Sequence, residues 1–585
     1  MRYFVSFGPI MLILQILFLA GFVTACGDSY DRPVTEAYNG KNGPTATSMM
    51  VSAADSHAVE AGLQVLRAGG NAVDAAVAVQ MVLNVTEPPE SGIGGGAFML
   101  HRDGRTGDLT VYDGRETAPA AATADRFAFG NFPLPLWLAI PTGLSVGVPG
   151  TVAMLHEAHT SHGQLDWEEL FEPAIRLAEG GVEISGRLQR QIRNDYSLRI
   201  FRDTRQFYVT QTEEGDGNPV LRNPDLARTF RGIASGGPDY FYTGELARSM
   251  VEAARSRWPG GSDLTVEDFH DYHAVVREAI CRSYRQWTVC GIPAPSSGGI
   301  TLLQILGILE HFPMQDYKPD DPQALHLMAE ASRLAFADRN HYIGDPDFVD
   351  VPHRQLLESH YLTERAALIE PDRAMTEVRS GDVTQTGVSA RFDPGTTGTT
   401  HFSIVDPDGN IVAMTSSIEA PFGSRIMTNG FLLNNQLTDF DFVASHNGDV
   451  SPNAVEGGKR PRSSMAPIIV LDEEEEVRLV IGSRGGSRII GYVLKALVGV
   501  LDWEMPLQQA IDLPNMVHRG EYLELESETA WEEHRDYLRS LGHEVRVHGM
   551  ESGLHGMERI EGTPASDHLW QGGADSRMDG VARGE

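Results

Sequence analysis

The stretch that most narrows what this chain can be is centred on Thr399. Residues 375–398 are poor in apolar side chains and rich in Gly, Thr, Ser and Asp, which marks an exposed, mobile linker. Directly after it come two strand-like runs, 401–405 and 411–416, separated by the turn residues Asp406-Pro407-Asp408-Gly409. This pattern predicts a hairpin. With the turn centred on Pro407 and Asp408, Val405 faces Asn410, Thr400 faces Thr415 and Thr399 faces Ser416; a one-residue shift brings Ser417 opposite Thr399 instead. In either register a second hydroxyl sits beside that of Thr399.

A threonine hydroxyl is a weak nucleophile at neutral pH unless a base takes its proton. A free α-amine, with an unperturbed pKa of about 7.7–8.0, can serve, provided the chain breaks before Thr399. Gly398 suits such a break, because glycine tolerates the strained backbone that would let the Thr399 hydroxyl attack the preceding carbonyl. Taken alone, these residues fit a Thr-rich loop entering a strand better, since threonine is an ordinary strand residue. A second element is Gly482-Ser483-Arg484-Gly485-Gly486-Ser487, between a strand expected over 477–481 and a helix expected over 487–500. Its unencumbered amides at a helix N-terminus offer an anion or oxyanion site, and the same residues also fit a tight strand-to-helix connection.

Elsewhere, Val59, Leu63 and Leu66 share a helical face that stops at Gly69-Gly70, and Asn71 can cap a second helix over 72–83. Gly92-Ile93-Gly94-Gly95-Gly96-Ala97 has the spacing of a dinucleotide fingerprint. However, 98–101 and 109–112 read as strands about Asp103-Gly104, where a pyrophosphate would need a helix, so no nucleotide cofactor is expected. Core helices are expected over 300–309 and after Asp321-Pro322, and strands over 468–471. Strand blocks flanked by helical blocks argue for a layered α/β body. The charge balance, 80 acidic against 47 basic residues with no Lys/Arg cluster, argues against nucleic-acid partners. No metal is predicted: His156-Glu157-Ala158-His159 has two residues between its histidines where a zinc-protease helix needs three, and His270-Asp271-Tyr272-His273 reads as a polar surface turn. The Gly-x-Ser-x-Gly elbow of a serine esterase is missing from the sequence.

The first residues form a unit of their own. Arg2 precedes an apolar run, 7–23, that leads into Thr24-Ala25-Cys26, which reads as an export signal over residues 1–25. A membrane-spanning anchor is the alternative, the run being near the lower length for a bilayer. Residues 26–48 read as a flexible tether. Val23-Thr24-Ala25-Cys26 resembles the lipobox of bacterial lipoproteins, which implies lipidation at Cys26 and a periplasmic or cell-envelope location; plain secretion with a spare thiol stays open. For Cys281 and Cys290 a disulfide and two buried free thiols both stand, because a turn near Tyr284 and Arg285 puts the two cysteines out of step.

Several further segments accompany Thr399-Thr400-His401-Phe402-Ser403: Gly70-Asn71-Ala72-Val73-Asp74-Ala75-Ala76, residues 91–100, Gly147-Val148-Pro149-Gly150-Thr151, Pro295-Ser296-Ser297-Gly298-Gly299, Ala337-Asp338-Arg339 and Gly344-Asp345-Pro346. Together they resemble the γ-glutamyltransferase family of N-terminal-nucleophile hydrolases over residues 52–580. The resemblance implies a four-layer αββα sandwich, α/β (α+β) in class, built jointly by two subunits. Self-cleavage between Gly398 and Thr399 would release them from one precursor, a large subunit whose body spans 49–398 and a small catalytic subunit, 399–585. It implies Thr399 as nucleophile with its freed amine as base, Ser417 as the hydroxyl bonded to it, and Gly485 and Gly486 as the oxyanion amides, with Arg484 where a proline often stands. Arg115, Ser463 and Ser464 would hold a glutamate α-carboxylate, which suits a guanidinium with two hydroxyls. Gln436 and Asp439 would hold the α-ammonium. Glu419 stands where many members have an asparagine, and so either meets a cation or signals another acyl group. Residues 440–453, where members often carry a lid, look short, which favours water as acceptor.

The implied activity is hydrolysis of γ-glutamyl amides such as glutathione, or transfer of the γ-glutamyl group to amino acids and dipeptides, without a cofactor. The alternatives are the same machinery acting on a glutaryl β-lactam side chain, and a non-catalytic binding lipoprotein that keeps the fold.

Overall fold

The computed structural model describes residues 42–129, 132–213, 219–383, 398–446, 449–563 and 566–585. The expected export signal, Cys26, most of the tether and residues 384–397 of the linker lie outside the described residues.

Two seven-stranded sheets, antiparallel throughout, stack face to face. The first runs Val581–Gly584, Met50–Ala53, Thr400–Val405, Ile411–Ser417, Gly96–Arg102, Leu109–Gly114, Val275–Glu278. The second runs Thr45–Ala46, Ser566–Ala574, His555–Thr563, Val477–Gly482, Ile468–Leu471, Trp287–Gly291, Ile280–Tyr284. Their central strands are buried on both faces; between the sheets the Thr400–Val405 and Ile411–Ser417 pair also carries His401, Ser403 and Thr415, which hydrogen-bond to one another. Phe98, Leu100, Ile411, Ala413, Ile469 and Val480 fill the space between the sheets. The alternate residues Met99, Phe402, Ile404 and Met414 meet the helices Ser56–Arg67 and Ala72–Thr86, while Ile468, Val470, Leu479 and Ile481 meet Gly298–Leu309, Pro322–Tyr342 and Ile489–Leu501. Three apolar cores between four layers give the expected αββα sandwich.

The helix starts follow local chemistry. Asn71 and Asp74 form a reciprocal capping box at the head of Ala72–Thr86. Asp406, in the turn ahead of Ile411–Ser417, also accepts from Ala72 N at 3.0 Å, tying that turn to the helix N-terminus.

Two expectations need correction. The Ile280–Tyr284 and Trp287–Gly291 hairpin turns at Arg285, φ +55°, and Gln286, one residue later than expected, so Cys281 pairs directly with Cys290 and the two form a disulfide. Residues 375–383, expected to belong to an exposed linker, are tied down. Met375 N donates to Glu330 Oε2 at 2.7 Å and Gly381 N to Asp338 Oδ1 at 2.8 Å, while Met375, Val378 and Val383 pack on the core.

Candidate active site

Thr399 stands at the head of the Thr400–Val405 strand, near the middle of its sheet. The hairpin adopts the shifted register: Val405 pairs with Ile411 and Thr400 with Ser416. The turn is a residue longer than a turn centred on Pro407 and Asp408, because Asp406 Oδ1 accepts from both Asp408 N and Asn410 N at 2.9 Å and Gly409 takes φ +80°. Thr399 Oγ1 therefore donates to Ser417 Oγ at 3.0 Å, and Ser417 Oγ also accepts from Glu419 N at 2.8 Å. Thr399 N donates to Glu90 O at 3.1 Å. Thr399 has φ +108°, a strained conformation for a β-branched residue. Gly398 passes so close to Glu419 O that a Cβ there would lie 2.0 Å from it, so only glycine fits.

Ser417, Glu419, Arg115, Gln436, Asp439, Ser463, Ser464 and Gly486 line one cavity with Thr399. The Arg115 guanidinium is fully buried. It donates to Asp439 Oδ2 at 2.5 Å and to the carbonyls of Pro461 and Arg462 at 3.0 and 3.1 Å. Its Nη1 has no hydrogen-bond partner, and at 3.6 Å the neighbouring Glu116 carboxyl is too distant to supply one. Burial outweighs the pull of Arg115 on Glu116 and pushes that carboxyl up to about 8. Gln436 Nε2 donates to Asp439 Oδ2 at 2.8 Å, and its Oε1 is also unpartnered. Glu419 binds Asn435 Nδ2 through its carboxylate.

The remaining motif segments brace this cavity. Arg339 donates to Ser464 Oγ at 2.7 Å and to Ser297 Oγ at 2.8 Å, while Ser297 Oγ donates to Ser463 O at 2.6 Å. Asn434, two residues before Gln436, bridges Gly94 O and Gly147 O at 2.8 and 2.9 Å. The glycine-rich turn at 92–97 thus serves close packing, and strands follow it as expected.

Gly485, at φ +123°, is not part of the lining; a Cβ on it would lie 2.8 Å from the Tyr492 ring. Gly486 and Ser487 present that loop to the cavity. None of the described residues of 440–453 lines it. Arg462, Met465, Ser487 and Ile489 also line it and were not singled out from the sequence, although three of them adjoin residues that were. Arg484, where a proline often stands, is held in the protein interior, its Nη2 paired with Glu90 Oε2 at 2.8 Å. Glu90 itself carried no sequence signal. Among the described residues, no group of three or more His, Cys, Asp or Glu side chains is placed to hold a metal.

A four-layer αββα body with a hydroxyl residue heading a central strand, its Oγ and its backbone nitrogen both held, is that of an N-terminal-nucleophile hydrolase. Comparison with known proteins narrows the class. The pattern of the gamma-glutamyltranspeptidase family matches residues 58–585. The chain is 38% identical over 521 residues to the glutathione hydrolase proenzyme of Bacillus subtilis (strain 168), covering 86% of each. It is 37% identical over 483 residues to that of Escherichia coli (strain K12), covering 80% of this chain and 81% of the other. Among solved structures it superimposes on cephalosporin acylase from Bacillus halodurans with a TM-score of 0.81 at 27% identity, covering 96% of this chain and 99% of that one. The Helicobacter pylori gamma-glutamyltranspeptidase gives 0.54 at 30% identity, over 59% of this chain and 98% of that one. The chain belongs to the γ-glutamyltranspeptidase family.

Proposed function

We propose that the protein cleaves itself between Gly398 and Thr399 and then splits γ-glutamyl amides, glutathione among them, passing the γ-glutamyl group to water or to an amino acid or dipeptide. The observation that carries this reading is the pair of unsatisfied groups in the cavity wall, a guanidinium N–H on Arg115 and an amide oxygen on Gln436, beside Asp439. A glutamyl α-carboxylate and α-ammonium are their complements, and leaving such buried groups unmet is costly. The zwitterion would exchange into the Arg115–Asp439 pair, with Ser463 and Ser464 as further donors.

In maturation, Thr399 Oγ1 adds to the Gly398 carbonyl carbon and the peptide C–N bond breaks, the hydroxyl proton ending on the Thr399 nitrogen. Water then hydrolyses the resulting ester, leaving a Gly398 carboxylate and a free Thr399 amine. In turnover the neutral amine takes the Oγ1 proton as Oγ1 adds to the γ-carbonyl. The Gly486 amide, at the cavity wall, receives the oxyanion, with that of Gly485 behind it as the second donor the family resemblance implies. The amine then gives its proton to the departing nitrogen, and the γ-glutamyl ester remains on Thr399. Water or an acceptor amine attacks that ester, its proton passing to the Thr399 amine and on to Oγ1 as the bond breaks.

Intact-mass measurement and nitroaniline release from a γ-glutamyl anilide test this. Wild type is expected as two chains divided before Thr399 and active, and Thr399→Ala as one inert chain. A wild type that stays whole and inert overturns the proposal and favours a binding protein with this fold.

A second reading, an acylase for glutaryl or cephalosporin side chains, is favoured by Glu419 in the cavity wall and by the likeness to the Bacillus halodurans acylase. It predicts that a glutaryl anilide, which lacks the α-ammonium, is cleaved as fast as the γ-glutamyl one. We also read residues 1–25 as a lipoprotein signal that leaves the enzyme anchored in the envelope through Cys26. Metabolic palmitate labelling that is lost in Cys26→Ala is the expected result, and an unlabelled wild type refutes it.

A further inference from the structure

Behind the nucleophile lies a buried ionic cluster that the scheme above does not use. The Glu90 carbonyl accepts from Thr399 N at 3.1 Å and from Ile418 N at 3.2 Å. Its carboxylate, 1% exposed, accepts from three side chains: Arg187 Nη2 at 2.6 Å, Gln191 Nε2 at 2.8 Å and Arg484 Nη2 at 2.8 Å. Arg187 lies on the helix Gly186–Asn194, and Arg484 directly precedes Gly485 and Gly486. One residue thus holds the nucleophile's nitrogen through its backbone and the approach to the oxyanion loop through its side chain.

We propose that the Glu90–Arg484 pair is a positioning device for catalysis. It fixes the oxyanion amides relative to the Thr399 amine, and it balances the charge around that amine so that enough of it is neutral to act as base. The first part follows from the loop. Gly485 at φ +123° and Gly486 at φ +59° are permissive residues, and Arg484 N reaches Ser552 O only at 3.3 Å; Ser483 Oγ to Ser552 O and Arg519 to Ser487 Oγ, both at 2.7 Å, hold the two ends of the loop, and the charged Arg484–Glu90 pair is the tether next to the two glycines.

The second part follows from the charges facing the Thr399 nitrogen. Glu90, Glu87 and Arg187 lie behind it, Arg484 and Glu551 lie on the oxyanion side, Glu419 lines the cavity beside it, and Arg115 and Asp439 line the same cavity. Burial pushes the Glu87 carboxyl up to about 8, and Glu90 pairs with both Arg187 and Arg484. Removing the Arg484 cation raises the amine's proton affinity, and removing the Glu90 anion lowers it. Both statements rest on the reading of Thr399 as an N-terminal nucleophile.

The test is steady-state kinetics of Glu90→Gln, Arg484→Met, the double variant and Arg484→Lys. Rates are expressed per small subunit beginning at Thr399, counted by intact mass, so that immature chains do not enter. Each of the first two is expected to lose about 10- to 100-fold in kcat with KM within about threefold. The acidic limb of kcat/KM should move up in pH for Arg484→Met and down for Glu90→Gln, by roughly half a unit or more. The double variant should lose no more than the worse single one and return the limb toward wild type. Arg484→Lys should keep the limb in place and recover part of kcat.

Unchanged kcat in both single variants, or losses without opposed movement of the limb, overturn the inference, since a merely structural pair would not split the limbs. If Arg484→Met yields no mature enzyme, the near-isosteric Glu90→Gln decides by the direction of its limb. A wild type inert toward the γ-glutamyl anilide is a separate failure, of the reading beneath.

Discussion

Replacing Ser417 by alanine removes a single oxygen that receives two hydrogen bonds, from Thr399 Oγ1 at 3.0 Å and from Glu419 N at 2.8 Å. Thr399 and Glu419 are only 4% and 6% exposed, so water does not readily replace it. The orphaned Glu419 N–H costs about 1–3 kcal/mol of stability. The lost bond to Thr399 is a neutral one, about 1 kcal/mol, and freeing Oγ1 to visit its other staggered positions adds a few tenths more. If that difference falls on the transition state, kcat drops by roughly 5- to 15-fold. KM should stay within about twofold, because Arg115 and Gln436 are both held on Asp439. Steady-state nitroaniline release, normalised to mature small subunit, measures both. Ser417→Thr keeps the oxygen and should restore most of the rate. A Ser417→Ala enzyme with kcat within twofold of wild type, or one whose whole loss lies in KM, would refute the role assigned to this contact.

Gly398→Ala puts a Cβ 2.0 Å from Glu419 O, so precursor should accumulate and mature at least about tenfold more slowly; a time course by denaturing electrophoresis shows it. Replacing both Cys281 and Cys290 by serine removes a bridge closing nine residues and should cost about 2–3 kcal/mol on a chain-entropy estimate, seen as a lower Tm, with kcat unchanged because the Ile280–Tyr284 strand lies at the edge of the second sheet. The Glu116 carboxyl is raised from 4.5 to about 8 by burial, so the folded state binds its proton more tightly than the unfolded one, and wild-type stability falls as pH climbs between those values. Glu116→Gln cannot ionise, and its Tm should gain progressively on wild type from pH 5 to 8; a constant difference across that range refutes the assignment.

What could be read from the sequence was whatever is set locally or along one strand. The Asn71 cap, the strands after the glycine-rich turn, and the hairpin that brings a hydroxyl to Thr399 all depend on neighbours within about twenty residues. The register itself was open by one residue, because the bonding of Asp406 to both Asp408 N and Asn410 N fixes the turn length, and the turn residues alone admit two lengths. The same single-residue ambiguity at Arg285 and Gln286 hid the disulfide. Glu90 and Arg484 lie 394 positions apart, and each read singly is an isolated charge. Only the fold turns them into a pair. Residues 375–383 misled for a related reason: their polar composition suggested exposure, but their backbone N–H groups reach the buried carboxylates of Glu330 and Asp338.

The arrangement of strands also bears on what a break before Thr399 would do. In the first sheet, Met50–Ala53 and Gly96–Arg102 come from before the break and flank the Thr400–Val405 and Ile411–Ser417 pair from after it; in the second, Trp287–Gly291 adjoins Ile468–Leu471. Each of the three apolar cores draws on both parts of the chain. Cutting one peptide bond removes none of this burial, and it frees Thr399 from φ +108°. Cys281 and Cys290 both precede the break, so no bridge spans it. Mature enzyme should therefore elute as one particle in native buffer, with or without reductant. Its chains should separate only in denaturant, and its Tm should lie within a few degrees of that of uncleaved Thr399→Ala. Dissociation under native conditions would mean that the sheets are held by the intact linker and not by the interleaving of their strands.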